Sequence, residues 1–160
     1  MPSISIRPAV IQDAPQILAF VKALAVFEKE PHAVEATVLH YENTMFAKDS
    51  FVHALICEHE GLPIGMAIYF FTYSTWLGKA GLYLEDLYIS PEYRALGAGR
   101  ALMKYLARIA LEKECGRFEW SVLNWNQPAI DFYQSMGAEI QEEWDKYRLS
   151  GEALTLIAHS

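Results

Sequence analysis

The segment GLYLEDLYIS constrains the fold most, because a turn of small residues and a long amphipathic stretch follow it directly. Its β-rich apolar residues predict a strand. After the turn, Leu102, Leu106 and Ile109 recur at helical spacing, and RFEWSVL then predicts another strand. A strand, a helix and a strand in this order form a β-α-β unit with two parallel strands. The chain therefore needs an α/β fold whose sheet contains a parallel pair.

Before this unit, the chain predicts a strand, two helices and a hairpin. ISIRP is typical of a short strand, and Asp13 with Gln16 three residues later resembles a capping box that opens a first helix. Thr37 is expected to cap a second helix. Two β-rich runs around residues 60–63 predict an antiparallel hairpin. Together with the β-α-β unit, these elements indicate a mixed sheet.

After this unit, the chain predicts a short helix and a final strand. Asn126 is expected to cap the helix, with Pro128 in its first turn and Gly137 at its end. The segment EEWDKYRLSGEAL then predicts a last strand and a terminal turn. Because the sequence has no internal repeat, low-complexity tract or linker, we expect residues 1–160 to form one domain.

Composition narrows the range of partners. The 20 acidic and 13 basic residues give a formal net charge of −7, which disfavours nucleic acid and suits a cationic ligand. No apolar run reaches the roughly 18 residues of a membrane span, and the N-terminus lacks the basic start and apolar stretch of a secretory signal. The sequence therefore predicts a cytoplasmic protein with no membrane partner.

The cysteines and histidines indicate no metal site. Cys57 and Cys115 form no CxxC pair and have no spacing suited to zinc or to a disulfide framework. The 5 histidines show no metal-ligand spacing either. We expect reduced core thiols and no metal cofactor.

The turn from Arg94 to Arg100 is the first candidate for a binding site. Gly97 and Gly99 let the backbone approach an anion closely, and the N-terminus of the following helix adds partial positive charge. No GK[ST] follows, and Leu102 stands where a dinucleotide-binding turn needs its third glycine. From these residues alone, the turn is either a phosphate cradle or an ordinary connection between a strand and a helix.

Two sequence motifs that follow each other along the chain together resemble those of a known family. The turn fits R-x-x-G-x-G, and a second pattern, N-x-x-A-x-x-F-Y, follows it at Asn126, Ala129, Phe132 and Tyr133. With both motifs, the chain resembles the GNAT superfamily of acetyl-CoA-dependent N-acetyltransferases. Within that superfamily it looks most like the spermidine/spermine (diamine) acetyltransferases and their thialysine-acetylating relatives. The resemblance covers nearly the whole chain.

This resemblance implies a specific form of the α/β fold. The sheet should be mixed, largely antiparallel and splayed at the acetyl-CoA site, with helices on both faces. The chain departs from the family pattern at Ala95, where glycine is usual. Because that position presents backbone to the ligand, we expect the turn to keep its function with slightly less conformational freedom.

The resemblance also implies where acetyl-CoA binds. Residues 95–100 would hold the pyrophosphate through their backbone, Leu87 and Ile89 would pair with the pantetheine arm like another strand, and Asn126 would contact the coenzyme. The complete set of coenzyme-binding residues expected from the resemblance is Leu87, Tyr88, Ile89, Arg94, Ala95, Leu96, Gly97, Ala98, Gly99, Arg100, Asn126, Ala129 and Phe132.

Two adjacent acids stand in the strand before the turn. Glu85 and Asp86 are flanked by apolar residues, and neighbouring side chains on a strand point to opposite faces. Buried acids need partners, so we expect at least one of them to face a cleft with a raised pKa. The resemblance assigns the catalytic base to Glu85 and the general acid to Tyr133, with direct transfer and no acetyl-enzyme.

The resemblance points to a small amine as substrate. Phe27, Glu28, Trp76 and Asp86 match positions of the polyamine pocket, where carboxylates and an aromatic face attract an ammonium chain. We expect a primary amine such as a diamine, a polyamine or a thialysine-like amino acid, and a homodimer as in the resembling enzymes. The alternatives are a protein amine as substrate and an acyl-CoA-binding sensor that has lost its chemistry.

Overall fold

A computed structural model describes residues 3–160. They contain five strands, numbered in chain order: β1 Ile4–Pro8, β2 Val52–His59, β3 Leu62–Ser74, β4 Lys79–Ile89 and β5 Arg117–Trp120. The helices are α1 Ala14–Phe27, α2 Val38–Thr44, α3 Ala98–Glu112, α4 Gln127–Ser135 and α5 Gly151–Ala158. The chain divides into two compact units, one ending at Ser121 and the other spanning Val122–Ser160.

The first unit is built on one sheet. Its strands follow each other in the order β1-β2-β3-β4-β5; the first three neighbouring pairs are antiparallel, and β4 and β5 are parallel. The α/β fold and the mixed, largely antiparallel sheet are therefore confirmed. Helix α3 connects the parallel strands, as the β-α-β prediction required.

The sheet opens between β4 and β5. Their pairing ends at Leu84 and Trp120, whereas β4 continues to Ile89. Over residues 86–89, β4 pairs with β3 on one side, and no strand within residues 3–160 pairs with its other edge. This half of β4 thus has one edge without a partner strand.

Helices α1 and α3 cover opposite faces of the sheet. Ile17 and Phe20 of α1 pack in a core cluster with Ala54 of β2. His53, the neighbouring residue on β2, lies on the other face, where burial and the nearby charge of Lys113 beyond α3 lower its pKa. No helix between residues 3 and 160 combines the length and apolar character needed to cross a bilayer.

The start of α1 differs from the predicted capping box. The helix begins at Ala14 as expected, but Asp13 makes no side-chain cap bond to it. Its carboxylate instead accepts hydrogen bonds from both terminal nitrogens of Arg7, at 2.7 and 2.9 Å, and from the backbone N–H of Val10. The bidentate guanidinium is a stronger partner than a helix N–H, so the capping-box prediction was wrong.

The other predicted caps are confirmed. Thr37 accepts a hydrogen bond from the His40 N–H at the start of α2. In the second unit, the Asn126 side chain accepts a hydrogen bond from the Ala129 N–H at 3.4 Å, with Pro128 in the first turn. Gly137 follows α4 with a φ of 90°, a conformation that glycine adopts without steric cost.

The prediction of a last strand was wrong. Residues 142–149 form no strand, and Gly151–Ala158 forms helix α5 instead of a turn. A strand needs a neighbour to satisfy its backbone, and no part of the described chain pairs with this segment. The sequence GEALTLIA contains good helix formers, which favour the observed helix.

Candidate active site

The turn at residues 94–100, called the anion turn below, is shaped by one glycine. A short 3-10 helix, Pro91–Leu96, leads into Gly97, whose φ of 77° is left-handed, and α3 starts at Ala98. A β-carbon added at Gly97 would meet no atom within 4 Å, so open space lies in front of the turn. The N-cap residue of α3 is Gly97, which has no side chain to bond to the first turn. The first-turn N–H groups of α3 lack intrahelical acceptors and suit an anionic ligand.

The two arginines of the anion turn are placed differently. Arg100 is exposed in the first turn of α3. Arg94 directs its guanidinium towards the end of β4 and α1: its Nε–H donates to the Ile89 carbonyl at 3.0 Å. The guanidinium also lies 5.4 Å from the ring centre of Phe27 and 5.9 Å from that of Tyr88.

The open half of β4 leads towards the anion turn. Leu87 and Ile89 pair with Ala67 and Gly65 of β3, and their other edge has no partner strand in the described chain. Gly65 is required here, because a β-carbon at this position would collide with the Tyr88 carbonyl. Gly65 was not among the residues predicted from the sequence, although a glycine inside a strand can signal such a close approach.

A β-bulge interrupts β4 at its acidic pair. Asp86 pairs with Ile68 and Leu84 pairs with Tyr69, so Glu85 is an extra residue without a partner in the register. The regular alternation assumed from the sequence does not hold through this point, since a bulge re-aims the local side chains. Glu85 is exposed, whereas Asp86 is mostly buried.

Three carboxylates form what we call the acidic cluster: Glu28, Glu85 and Asp86. Burial, followed by the negative charges of Glu85 and Glu28, raises the pKa of Asp86 from 3.8 to about 6. Burial also raises the pKa of Glu28. The negative charges of the carboxylates repel one another, so the cluster favours the binding of a cation or a proton. A raised pKa was expected of one strand acid, and Asp86 has it.

Tyr41 of α2 borders this cluster and was not predicted from the sequence as a site residue. It packs against the core cluster that contains Ile68, the β3 partner of Asp86. Burial and the charge of Asp86 raise the pKa of its phenol. Nothing in the spacing of α2 distinguishes this tyrosine from a core residue, so only the fold reveals its position.

The remaining predicted amine-binding residues are more exposed. Phe27 is the last residue of α1, directly before Glu28, and it is 42% exposed. Trp76 lies between β3 and β4 and is 81% exposed. The charge of Glu28 thus reaches Asp86, and Phe27 directly precedes Glu28, whereas the Trp76 ring lies mostly in solvent.

The second unit carries the predicted N-x-x-A-x-x-F-Y residues on one helix. Asn126 caps α4 and bonds to Ala129, as described above. Phe132 and Tyr133 lie near the end of α4, partly buried, with ring centres 5.5 Å apart. The helix therefore holds these four residues in a fixed relation to one another.

Comparisons with known proteins agree on the family. The sequence profile of the Acetyltransferase (GNAT) family matches residues 17–138. A thialysine N-epsilon-acetyltransferase of Sus scrofa is 36% identical over 169 residues, which cover 99% of this chain and 99% of that protein. The spermidine/spermine N(1)-acetyltransferase-like protein 1 of Homo sapiens is 36% identical over 163 residues, or 96% of this chain and 23% of the human protein.

A solved structure agrees with the fold. The structure of an integron cassette protein from the mobile metagenome of V. cholerae superimposes with a TM-score of 0.83 and 26% identity, over 99% of both chains. The family profile covers most of the chain, and the Sus scrofa relative covers nearly all of it. The chain therefore belongs to the acetyltransferase (GNAT) family and is an N-acetyltransferase.

Proposed function

We propose that the protein transfers an acetyl group from acetyl-CoA to a small primary amine that carries a further positive charge. Diamines, polyamines and thialysine-like amino acids have this form. The acidic cluster carries the proposal, because Asp86 is mostly buried next to Glu28 and Glu85 and its pKa is raised to about 6. A bound ammonium group would relieve this repulsion. The names of the thialysine and spermidine/spermine relatives support the same class.

The coenzyme fits the first unit by its chemistry. The first-turn N–H groups of α3 suit a pyrophosphate, and the free edge at Leu87–Ile89 suits an extended amide chain such as pantetheine. Acetyl-CoA supplies the activated acetyl group as a thioester. The predicted contacts of Asn126, Ala129 and Phe132 rest on the family resemblance alone.

The chemical roles follow from what the transfer requires. We assign Glu85 to accept a proton from the incoming ammonium, directly or through water, and the N–H of Leu87 or a neighbour to stabilise the developing oxyanion. As the new N–C bond forms and the C–S bond breaks, Tyr133 would donate a proton to the departing thiolate. The attacking nitrogen would lose its second proton to water, which would return a proton to the Tyr133 phenolate. Burial raises the pKa of Cys57 to about 11, which supports direct transfer without a cysteine nucleophile.

The second unit supports a homodimer. Every residue from Glu139 to Ser160 is exposed, including Trp144 at 66%, Tyr147 at 93% and Ile157 at 59%. Such apolar exposure is typical of a surface that a partner covers. We propose that a second copy covers it and that residues 1–160 act as one domain, since the family profile extends into both units. Sedimentation equilibrium that gives a monomer would contradict the dimer.

An acetyl-CoA consumption screen tests the function. The panel would contain diamines, polyamines, thialysine, lysine, aminoglycosides and a lysine-containing peptide, with free thiol measured as coenzyme A is released. We expect the highest kcat/KM with a small amine that carries a second positive charge. Preference for the peptide would favour a protein substrate, and coenzyme binding without turnover on any amine would favour a sensor.

A further inference from the structure

Arg94 connects two parts of the first unit. It belongs to the 3-10 helix that leads into the anion turn, three residues before Gly97. Its side chain does not extend along that turn. It bonds to the Ile89 carbonyl at 3.0 Å and lies over the rings of Phe27 and Tyr88 at 5.4 and 5.9 Å. Phe27 ends α1 and precedes Glu28 of the acidic cluster.

The contacts that fix the Arg94 guanidinium are one with the backbone of β4 and two with aromatic rings. The pKa of Asp86 is raised by burial and by two other acids, and the pKa of Glu28 is raised by burial. Arg94 is not among the causes of either shift. What the side chain provides is a planar group that bonds to the backbone of β4 and stacks on the last ring of α1.

We infer that Arg94 is a positioning residue for the amine, which holds Phe27 and the end of α1 against β4 and thereby places Glu28 beside Asp86. This role rests on the proposed amine acetylation. It differs from the sequence-based expectation, which counts Arg94 among the coenzyme-binding residues, where its positive charge would face the pyrophosphate. Because Arg94 leads into the anion turn, one residue links the geometry of both binding regions.

Replacement of the side chain distinguishes the two roles. In Arg94→Gln, we expect the KM for the best diamine to rise about two- to fivefold, the loss typical of an exposed cation-π contact. The kcat and the coenzyme dissociation constant should stay within about twofold, since these contacts do not change in the transition state. Arg108→Gln is the matched control, because Arg108 is an exposed arginine on α3 outside both regions.

A conservative variant and a double-mutant cycle sharpen the test. Arg94→Lys keeps the charge but loses the planar fork, so it should restore a pyrophosphate contact but not the stacked position. If Arg94 acts through Phe27, the KM of the double variant Arg94→Gln with Phe27→Leu should equal that of the more impaired single variant. Melting temperatures within a few degrees of the wild type would show that the variants fold.

Each outcome decides the question. A weakened coenzyme affinity in Arg94→Gln with an unchanged amine KM, restored in Arg94→Lys, would overturn the inference and support the pyrophosphate role. Multiplicative KM effects in the double variant would also overturn it, because the two residues would then act independently. If the wild-type protein acetylates no amine, the proposed function fails and this inference fails with it. If the wild type acetylates amines and Arg94→Gln behaves like Arg108→Gln, only this inference fails.

Discussion

The anion turn and the acidic cluster are built in different ways. The anion turn is one continuous stretch whose shape depends on backbone conformation, with Gly97 in a left-handed conformation before α3. The acidic cluster joins Glu28, directly after α1, to Glu85 and Asp86 of β4, and it depends on how α1 and β4 pack. A binding site made from backbone can be recognised in the sequence as a motif of adjacent residues. A binding site made from packed side chains consists of residues that are distant in sequence, and no motif marks them.

The two regions have opposite electrostatic character. Strand β4 contributes to both regions. Its acidic pair, with the bulge at Glu85, belongs to the acidic cluster, and its open half at Leu87–Ile89 leads towards the anion turn. The turn offers N–H groups and partial positive charge, while the cluster holds mutually repelling carboxylates. We therefore expect substitutions in one region to affect one ligand and leave the other unchanged.

The largest effect should come from a residue that belongs to neither region. Tyr133→Phe removes only the phenol oxygen, so kcat should fall about 100-fold if proton donation limits the rate. Both the coenzyme affinity and the amine KM should remain near wild-type values. Stopped-flow single-turnover kinetics and calorimetry with coenzyme A would check this. Wild-type turnover under chemistry-limited conditions would make Tyr133 a packing residue.

The next effect concerns the anion turn. In Gly97→Val, a β-branched residue must adopt a φ of 77°, and its side chain fills the space before the first-turn N–H groups. The coenzyme affinity should fall at least tenfold, or about 1.4 kcal/mol. Gly61→Val is the matched control, because Gly61 has a φ of 80° and equally open surroundings in the β2–β3 turn. Equal losses in both variants would show strain rather than a binding role.

A smaller effect separates charge from shape in the acidic cluster. In Glu28→Gln, the KM for 1,4-diaminobutane should rise about tenfold, while the KM for butylamine changes little, because only the diamine keeps a second cation. Glu30→Gln, an exposed acid two residues away, serves as the control. Steady-state kinetics with the two amines would measure the difference. Equal changes for both amines would remove Glu28 from the pocket.

The last effect is on stability. Asp86 has a pKa of about 6 in the folded protein and 3.8 ordinarily, so its contribution to stability is greatest below pH 4 and is lost as the pH rises through 6. Asp86→Asn should therefore raise the free energy of unfolding by about 1 to 2 kcal/mol at pH 8, allowing for partial solvent screening. The difference should vanish near pH 4. Urea denaturation at both pH values would measure it, and a destabilised variant at pH 8 would refute the raised pKa.

The sequence predicted local features well. The β-α-β unit, the caps at Thr37 and Asn126 and the hairpin after β2 depend on neighbouring residues, and the structure confirms them. The capping box at Asp13 failed because Arg7, from a different element, competes for the carboxylate. The last strand failed because strand formation depends on a partner, which the segment itself does not specify.

The prediction of the candidate site was limited in the same way, because it too depends on contacts between distant elements. An acidic pair in an apolar strand was enough to predict one raised pKa, but not which acid would be buried. The bulge at Glu85 and the approach of Glu28 decide that, and both arise from packing. No sequence pattern indicated that Tyr41 lies near Asp86, because its position follows only from how α2 packs on the sheet.

Proton release on amine binding tests most directly whether the acidic cluster receives a cation. Calorimetry would titrate 1,4-diaminobutane into the protein with coenzyme A, which has no acetyl group to donate, in buffers of different ionisation enthalpy at pH 6 and pH 8. At pH 6, Asp86 is about half protonated, so binding of a cation should release about half a proton. This release should be absent at pH 8 and in Asp86→Asn. Diamine binding at pH 6 without proton release, or with the same release in Asp86→Asn, would show that the cation binds elsewhere.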